Sequence, residues 1–237
     1  MFVRLRALFM QGAFYMGIQK GDDVRTMRKR CLIISGGDEC RIPEEWHGAG
    51  CVIACDRGYI YAERAGIKPD LIVGDFDSAR RPETDIRIEQ VPSRKDDTDT
   101  MIAVRHAADL GCREAAIACC FGGRLDHSLA NIQAAAFLAE RGITVRLFGE
   151  NTEGTVFSGG TQRFPRRDGW SLSLFSLGDR CEGISIRGTK YDCENVTLTN
   201  TFPQGVSNAW TAGQAEITLR KGILLVIQSR LKKGEHI

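Results

Sequence analysis

The chain has 237 residues, enough for one large domain or two modest ones. Hydrophobic residues make up 43% of it, so a packed core is expected and disorder is not. Formal net charge is +2, which leaves no whole-chain basic field and argues against nucleic acid as the main partner.

Residues 1–26 carry Arg4 and Arg6 ahead of an apolar stretch broken by Gln11, Gly12 and Gly17. That stretch is too short to span a membrane and lacks a convincing small-x-small cleavage site. It is expected to be a dispensable extension ahead of Met27. From Cys31 the texture changes to apolar runs alternating with helical patterns. Strands are expected at Cys31–Ser35, Cys51–Cys55 and Leu71–Val73, with a helix over Tyr59–Ala65. A further apolar run ends at Val91. A helix starts near Thr98 and runs to Leu110, a strand follows at Ala115–Cys120, a helix at Leu129–Arg141 and a strand at Thr144–Phe148. Such alternation predicts a mostly parallel sheet with helices on both faces, over residues 27–150.

Beyond Gly149, short β-type runs punctuated by Gly, Asn and Asp replace the helical period: 155–157, 170–175, 183–187, 195–198, 215–219 and 223–228. This predicts a C-terminal all-β sandwich or jelly roll over residues 151–237. The fold class is therefore α/β plus an all-β domain, with a cleft for ligands between them. The nine cysteines form no C-x-x-C pair and sit mostly in apolar runs. They read as small buried hydrophobes of a reducing compartment, the cytoplasm.

In open parallel sheets, ligands bind beyond the carboxyl ends of the strands. Here the residues after successive apolar runs are Ser35-Gly36-Gly37-Asp38, Asp56-Arg57-Gly58, Gly74-Asp75-Phe76-Asp77-Ser78, Lys95-Asp96-Asp97-Thr98-Asp99 and Gly122-Gly123-Arg124-Leu125-Asp126-His127. Acids, glycines and bases thus collect at one sheet edge. In extended backbone Asp75 and Asp77 project to the same side, and two such carboxylates suit a hard cation. Thr98 or Asp97 suffices to cap the following helix, which leaves Asp99 for metal. Carboxylates completed by water and phosphate oxygens suit Mg²⁺. Gly122 and Gly123 let backbone N–H groups approach phosphate at a helix start, or simply make a tight turn; Arg124 has the fork to hold phosphate oxygens. His127 is either a base or phosphate donor, or a helix-start histidine bonded locally with Asp126. No G-x-x-x-x-G-K-[ST] or G-x-G-x-x-G motif is present, so a nucleotide site must be of another kind.

In this order, Asp56-Arg57-Gly58, the run from Pro69 to Ser78, Lys95 to Asp99, Gly123 to His127 with Asn131, Gly188-Thr189-Lys190-Tyr191 and Gly205-Val206-Ser207-Asn208 resemble thiamine pyrophosphokinase, from about Cys31 to Ser229. Many members have Asp-Gly-Gly where this chain has Asp56-Arg57-Gly58. The resemblance implies ATP and thiamine as substrates, thiamine diphosphate and AMP as products, and a homodimer with the thiamine site near the subunit interface. It implies Mg²⁺ at Asp75, Asp77 and Asp99, with Arg124 among the catalytic residues. Asp56, Arg57, Lys95, Asp96 and Thr98 are then expected around ATP and substrate, together with Gly122, Gly123, Asp126, His127 and Asn131. Ser207 and Asn208 are expected to face thiamine. Taken alone, both glycine-led segments of the β region read as ordinary hairpin connections. For the cationic thiazolium, Tyr191 and Trp210 are the aromatic candidates, with a core role as the alternative.

Three rival readings stay open on sequence alone, one of which keeps the family resemblance but changes the acceptor, for instance to a pterin alcohol. A phosphatase using Asp75-x-Asp77 as nucleophile and acid leaves the Arg-Leu-Asp-His segment without a task. A non-catalytic nucleotide- or thiamine-binding dimer leaves the full acid set unexplained.

Overall fold

Five short parallel strands form the centre of the chain, which we describe from a computed structural model covering residues 30–76, 81–92, 97–235 and 237. The strands β1 (Arg30–Ile34), β2 (Cys51–Cys55), β3 (Leu71–Gly74), β5 (Glu114–Ala118) and β6 (Thr144–Phe148) are nearly continuous apolar runs, as strands covered on both faces must be. With β4 (Arg87–Gln90), β7 (Thr152–Phe157), β9 (Trp170–Ser176) and β13 (Leu224–Arg230) they make one nine-stranded sheet, ordered β4-β3-β2-β1-β5-β6-β7-β13-β9. The pairs from β4 through β6 are parallel; those from β6 through β9 are antiparallel. Hydrogen bonding therefore runs without a break across position 150.

The chain steps outward from β1 to β2, β3 and β4, then returns to lay β5 on the other side of β1. This reversal makes the carboxyl ends of β1 and β5 a topological switch point, where open α/β sheets form a crevice.

Three helices cover the parallel half: α1 (Gly58–Arg64), α2 (Asp99–Asp109) and α3 (Leu125–Ala139). Ala103, Val104 and Ala107 of α2 and Ala134, Ala135 and Leu138 of α3 pack on one face of the sheet. On the other face Ala62 of α1, Ile42, Trp46 and Ile67 pack on Leu32, Ile34, Val52 and Phe148. Thr98 caps α2: it has extended backbone and its hydroxyl oxygen accepts from Met101 N–H at 3.1 Å. Helix α3 begins one turn before the expected Leu129, because Asp126, His127 and Ser128 present no apolar period.

A second sheet, β11 (Cys193–Thr199), β10 (Arg180–Arg187), β12 (Gln214–Leu219) and β8 (Gly160–Pro165), is wholly antiparallel. Phe164, Cys181, Ile184, Ala215, Ile217 and Leu219 of this sheet pack on Phe157, Leu172, Leu174, Leu224 and Val226 of the large one. The expected sandwich is thus present, and one of its two layers is the far wing of the α/β sheet. Strand β13 shows why its sequence reads as unbroken Leu-Leu-Val-Ile. With a period of two, Leu224 and Val226 enter the sandwich core while Leu225 joins the core under α2 and α3. No helix among the described residues is long and apolar enough to cross a membrane.

Candidate active site

The carboxyl ends of β1, β2, β3 and β5 meet at the switch point. Ser35 ends β1 and its hydroxyl shares a 2.9 Å hydrogen bond with that of Thr100 in the first turn of α2, both buried. The Cys55 thiol at the end of β2 donates to the Asp99 carbonyl at 3.6 Å. Asp56 N–H donates to Val73 O at 2.8 Å, and a Cβ added to Gly74 would lie 3.2 Å from the Asp56 Cα. These contacts tie Asp56 and the start of α2 with Asp99 to the ends of β1, β2 and β3, and Asp75 directly follows β3.

Asp56 has φ 45°, an uncommon conformation outside glycine. Arg57 after it is right-handed at φ −62°, a conformation that an arginine adopts without strain. The demanding position is Gly58, where a Cβ would overlap the Ile34 carbonyl oxygen. A glycine there lets α1 start directly against β1.

Among the described residues, Asp97 joins no group of acidic, His or Cys side chains fit to hold a metal. Arg105, two turns along α2, donates to both of its carboxylate oxygens, at 3.0 and 3.3 Å. This fork fixes the approach to Thr98 and Asp99 on the helix that carries them. Asp77, Lys95, Asp96 and the extension at 1–26 lie outside the described residues. Among the described residues, no three acidic, His or Cys side chains are gathered closely enough to enclose a metal ion. A magnesium ion needs no such cage: one or two carboxylates, water and substrate phosphates complete its octahedron. Asp75, directly after β3, and Asp99, the first residue of α2, are carboxylates of the kind that pattern uses.

Beyond β5 the chain turns through Gly122 (φ 86°) and Gly123 (φ 60°) into α3. A side chain at Gly122 would overlap the Asp38 carboxylate, so only glycine lets these two loops close. Asp38 N–H donates to Phe121 O, and Gly37 N–H to Cys119 O, each at 2.9 Å. Asp38 thus has a structural place in the turn, its carboxylate lying against Gly122.

Arg124 stands at the N-cap position of α3 and makes no side-chain cap. Its guanidinium forks onto Asp126, Nε to Oδ1 at 3.1 Å and Nη2 to Oδ2 at 2.5 Å, with both side chains mostly exposed. The Arg124 guanidinium holds the Asp126 carboxyl below its usual range, and Asp126 in turn raises Arg124. His127 is exposed and its backbone N–H donates to Asp126 Oδ1 at 3.0 Å. Asn131 is buried, and its amide donates to the Cys120 carbonyl at 2.8 Å. This bond pins α3 to the end of β5.

In the sandwich, the two glycine-led segments lie side by side. The Asn208 side chain accepts from Tyr191 N–H at 3.0 Å and donates to Thr189 Oγ1 and the Tyr191 carbonyl at 3.0 and 3.2 Å. Asp192 closes the loop from below, accepting from Thr189 N–H at 2.8 Å and Gly188 N–H at 3.2 Å. Those donors, Thr189 N–H first, hold the Asp192 carboxyl below the usual range. Ser207 (φ 59°) is exposed, with its N–H on Ser173 Oγ at 3.1 Å. Tyr191 is 58% exposed whereas Trp210 is 8% exposed. The Trp210 indole N–H is committed to Phe164 O at 2.9 Å. Phe202 and Val206 leave further apolar surface beside Ser207, and Leu125 and Leu129 do the same beside the Gly-Gly turn.

Two family models match this chain: thiamin pyrophosphokinase, catalytic domain, over residues 42–147, and thiamin pyrophosphokinase, vitamin B1 binding domain, over residues 162–224. A thiamine pyrophosphokinase of Bacillus subtilis is 27% identical over 214 residues, covering 85% of this chain and 99% of its own. The crystal structure of a Bacillus subtilis thiamine pyrophosphokinase superposes with TM-score 0.74 at 25% identity, covering 85% of this chain and 99% of that one. A thiamin pyrophosphokinase family protein from Enterococcus faecalis superposes with TM-score 0.71 at 28% identity, covering 86% and 100%. With both halves matched in order and the strand-end motifs gathered at one edge, the chain belongs to the thiamine pyrophosphokinase family.

Proposed function

We propose that this enzyme transfers the pyrophosphoryl group of ATP to the hydroxyl of thiamine, giving thiamine diphosphate and AMP. The observation that carries the reading is the meeting of the β1, β2, β3 and β5 ends, with Asp56, Asp75, Asp99 and the Gly122-Gly123-Arg124 turn at one crevice. Family membership supplies the acceptor and the donor.

The thiamine hydroxyl oxygen attacks the β-phosphorus in line, a new O–P bond forms, and the bond from the β-phosphorus to the bridging oxygen of AMP breaks. Such transfers need little covalent help; positioning and charge neutralisation carry most of the rate. Asp75 and Asp99, joined by Asp77 on the strength of the motif, hold Mg²⁺. When bound, the ion supplies charge neutralisation for the phosphate oxygens. Arg124 turns its guanidinium toward the transferring group, and the N–H groups of the Gly-Gly turn receive phosphate. A carboxylate beside the hydroxyl, from Asp77 or Asp99, takes its proton. Asp56, Arg57, Lys95, Asp96, Thr98 and Asp126 shape the nucleotide side.

Thiamine docks against Ser207 and Tyr191, with Asn208 and Trp210 holding that surface from behind. The exposed apolar groups beside each half-site support a homodimer in which the sandwich of one copy completes the crevice of the other. Residues 27–150 then act as the ATP and metal domain and 151–237 as the thiamine and dimerisation domain. Residues 1–26 are dispensable, and the unbridged thiols support a cytoplasmic location.

The test is purified protein with Mg²⁺, ATP and thiamine. AMP and thiamine diphosphate in equal amounts are expected, with no ADP. Inorganic phosphate without thiamine diphosphate would instead favour a phosphatase.

A further inference from the structure

Cys40 lies in the loop after β1, and Cys119 immediately follows β5. Their sulfur atoms are 3.6 Å apart. Cys119 is fully buried; Cys40 is half-buried. The backbone at Cys119 has φ 55°, and its N–H also donates to the Cys40 sulfur, at 3.3 Å. Cys119 thus meets the Cys40 sulfur through both its N–H and its thiol, and the Cys40 thiol also donates to the Phe148 carbonyl at 3.5 Å. That arrangement favours a thiolate on Cys40: the Cys119 S–H lowers the Cys40 thiol, and the same contact raises Cys119. The pair has the division of labour of an attacking and a resolving thiol.

The two cysteines sit on the two loops that meet at the Gly122-Gly123 turn. Gly37, three residues before Cys40, donates its N–H to the Cys119 carbonyl, and Asp38 donates to Phe121. A Cβ at Gly37 would come within 2.7 Å of the Phe121 carbonyl oxygen, so the two loops already touch without slack.

We infer that Cys40 and Cys119 form a reversible disulfide, driven by peroxide, that displaces the Gly122-Gly123-Arg124 turn and weakens ATP binding. The bond itself stands on thiol geometry, while its consequence rests on the nucleotide reading above. The Cys40 thiolate attacks one peroxide oxygen, the O–O bond breaks, and water leaves with a proton, giving a sulfenic acid. The Cys119 sulfur then attacks the Cys40 sulfur, the S–O bond breaks, and a second water carries off the Cys119 proton. Two thiols lose two electrons and one hydrogen peroxide becomes two waters. Closing from 3.6 Å to disulfide length brings the sulfurs together by about 1.5 Å. A shift of that order at the base of the turn moves the groups that receive phosphate. Cys31, Cys51 and Cys112 form a second thiol group, which serves as the internal comparison.

The test uses the full chain, reduced, desalted and treated with hydrogen peroxide, then digested without reductant for mass spectrometry. A peptide pair joined through Cys40 and Cys119 is expected, two hydrogens lighter, absent in Cys40→Ser and undone by dithiothreitol. ATP affinity by equilibrium dialysis is expected to fall about tenfold on oxidation, and to stay unchanged in Cys40→Ser. A sulfinic acid on Cys40 without cross-linking, or a bond within the Cys31 group instead, would overturn the site. A cross-link with unchanged ATP affinity would overturn its control of the turn. Because neither readout uses thiamine, a protein that makes no thiamine diphosphate sinks the functional reading alone.

Discussion

Arg124 and Asp126 grip each other across one residue, guanidinium to carboxylate, at the mouth of the crevice. The fork that Arg124 would offer a phosphate is thus already engaged with a carboxylate. On the proposed reading, a phosphate would have to take Arg124 from Asp126, exchanging one anion for another. Arg124→Ala is expected to lower kcat/KM by about 10²- to 10³-fold. Arg124→Lys keeps the charge, loses the fork and recovers only part of this. Equal rates for the lysine variant and the parent would show that no fork is used.

Gly122 and Gly123 both have positive φ, yet they differ in what surrounds them. A methyl at Gly122 meets the Asp38 carboxylate; at Gly123 the nearest atom is an Asp38 oxygen at 3.8 Å. Gly122→Ala is therefore expected to lose ATP binding or melt several degrees lower, whereas Gly123→Ala incurs only the backbone cost of about 1–2 kcal/mol. Thermal melts with and without ATP separate the two. Identical melts would contradict the close approach of Asp38.

The aromatic pair in the sandwich is predicted to split by role. Tyr191→Ala should raise the thiamine KM with little change in melting temperature, because the ring is exposed. Trp210→Phe strands the Phe164 carbonyl and should cost about 1–3 kcal/mol of stability. Steady-state kinetics alongside chemical denaturation read both effects. A thiamine-specific defect in a fully stable Trp210→Phe would place the indole against substrate instead.

The loop under Tyr191 should be insensitive to pH through the neutral range. Its Asp192 carboxyl is depressed in the folded chain, so its contribution is complete above the unfolded value of about 3.9. It is lost only as pH falls through the lower folded value. The Gly188 and Thr189 amide resonances are expected to titrate below pH of about 3.9, and not at all in Asp192→Asn. A midpoint at or above that value would show that the amides do not hold the carboxylate.

Much of this site was legible because chemistry and topology coincide in the chain. β1, β2, β3, β5 and β6 are apolar runs, so the polar residues after them had to sit at one edge. Strand β8 was not read as a strand: it is a sheet edge, and Phe164 is its one buried residue. Sequence also cannot tell which way a polar side chain faces. Asn131 and Asn208 sit in recognisable motifs, yet both spend their amides on backbone carbonyls inside the fold. Asp97 and Thr98 were equal candidates to cap the helix; Thr98 is the cap, and Asp97 is held through both oxygens by Arg105, eight residues on. Such contacts depend on helix phase and loop closure, which spacing alone does not supply.

The most direct measurement uses ATP radiolabelled at the γ-phosphate, supplied with thiamine and Mg²⁺, with products separated by chromatography. Attack on the β-phosphorus predicts that label appears in thiamine diphosphate alone, in step with unlabelled AMP, and that Asp75→Ala and Asp99→Ala abolish it while remaining folded. Label released as inorganic phosphate, or full transfer by either aspartate variant, would contradict the account.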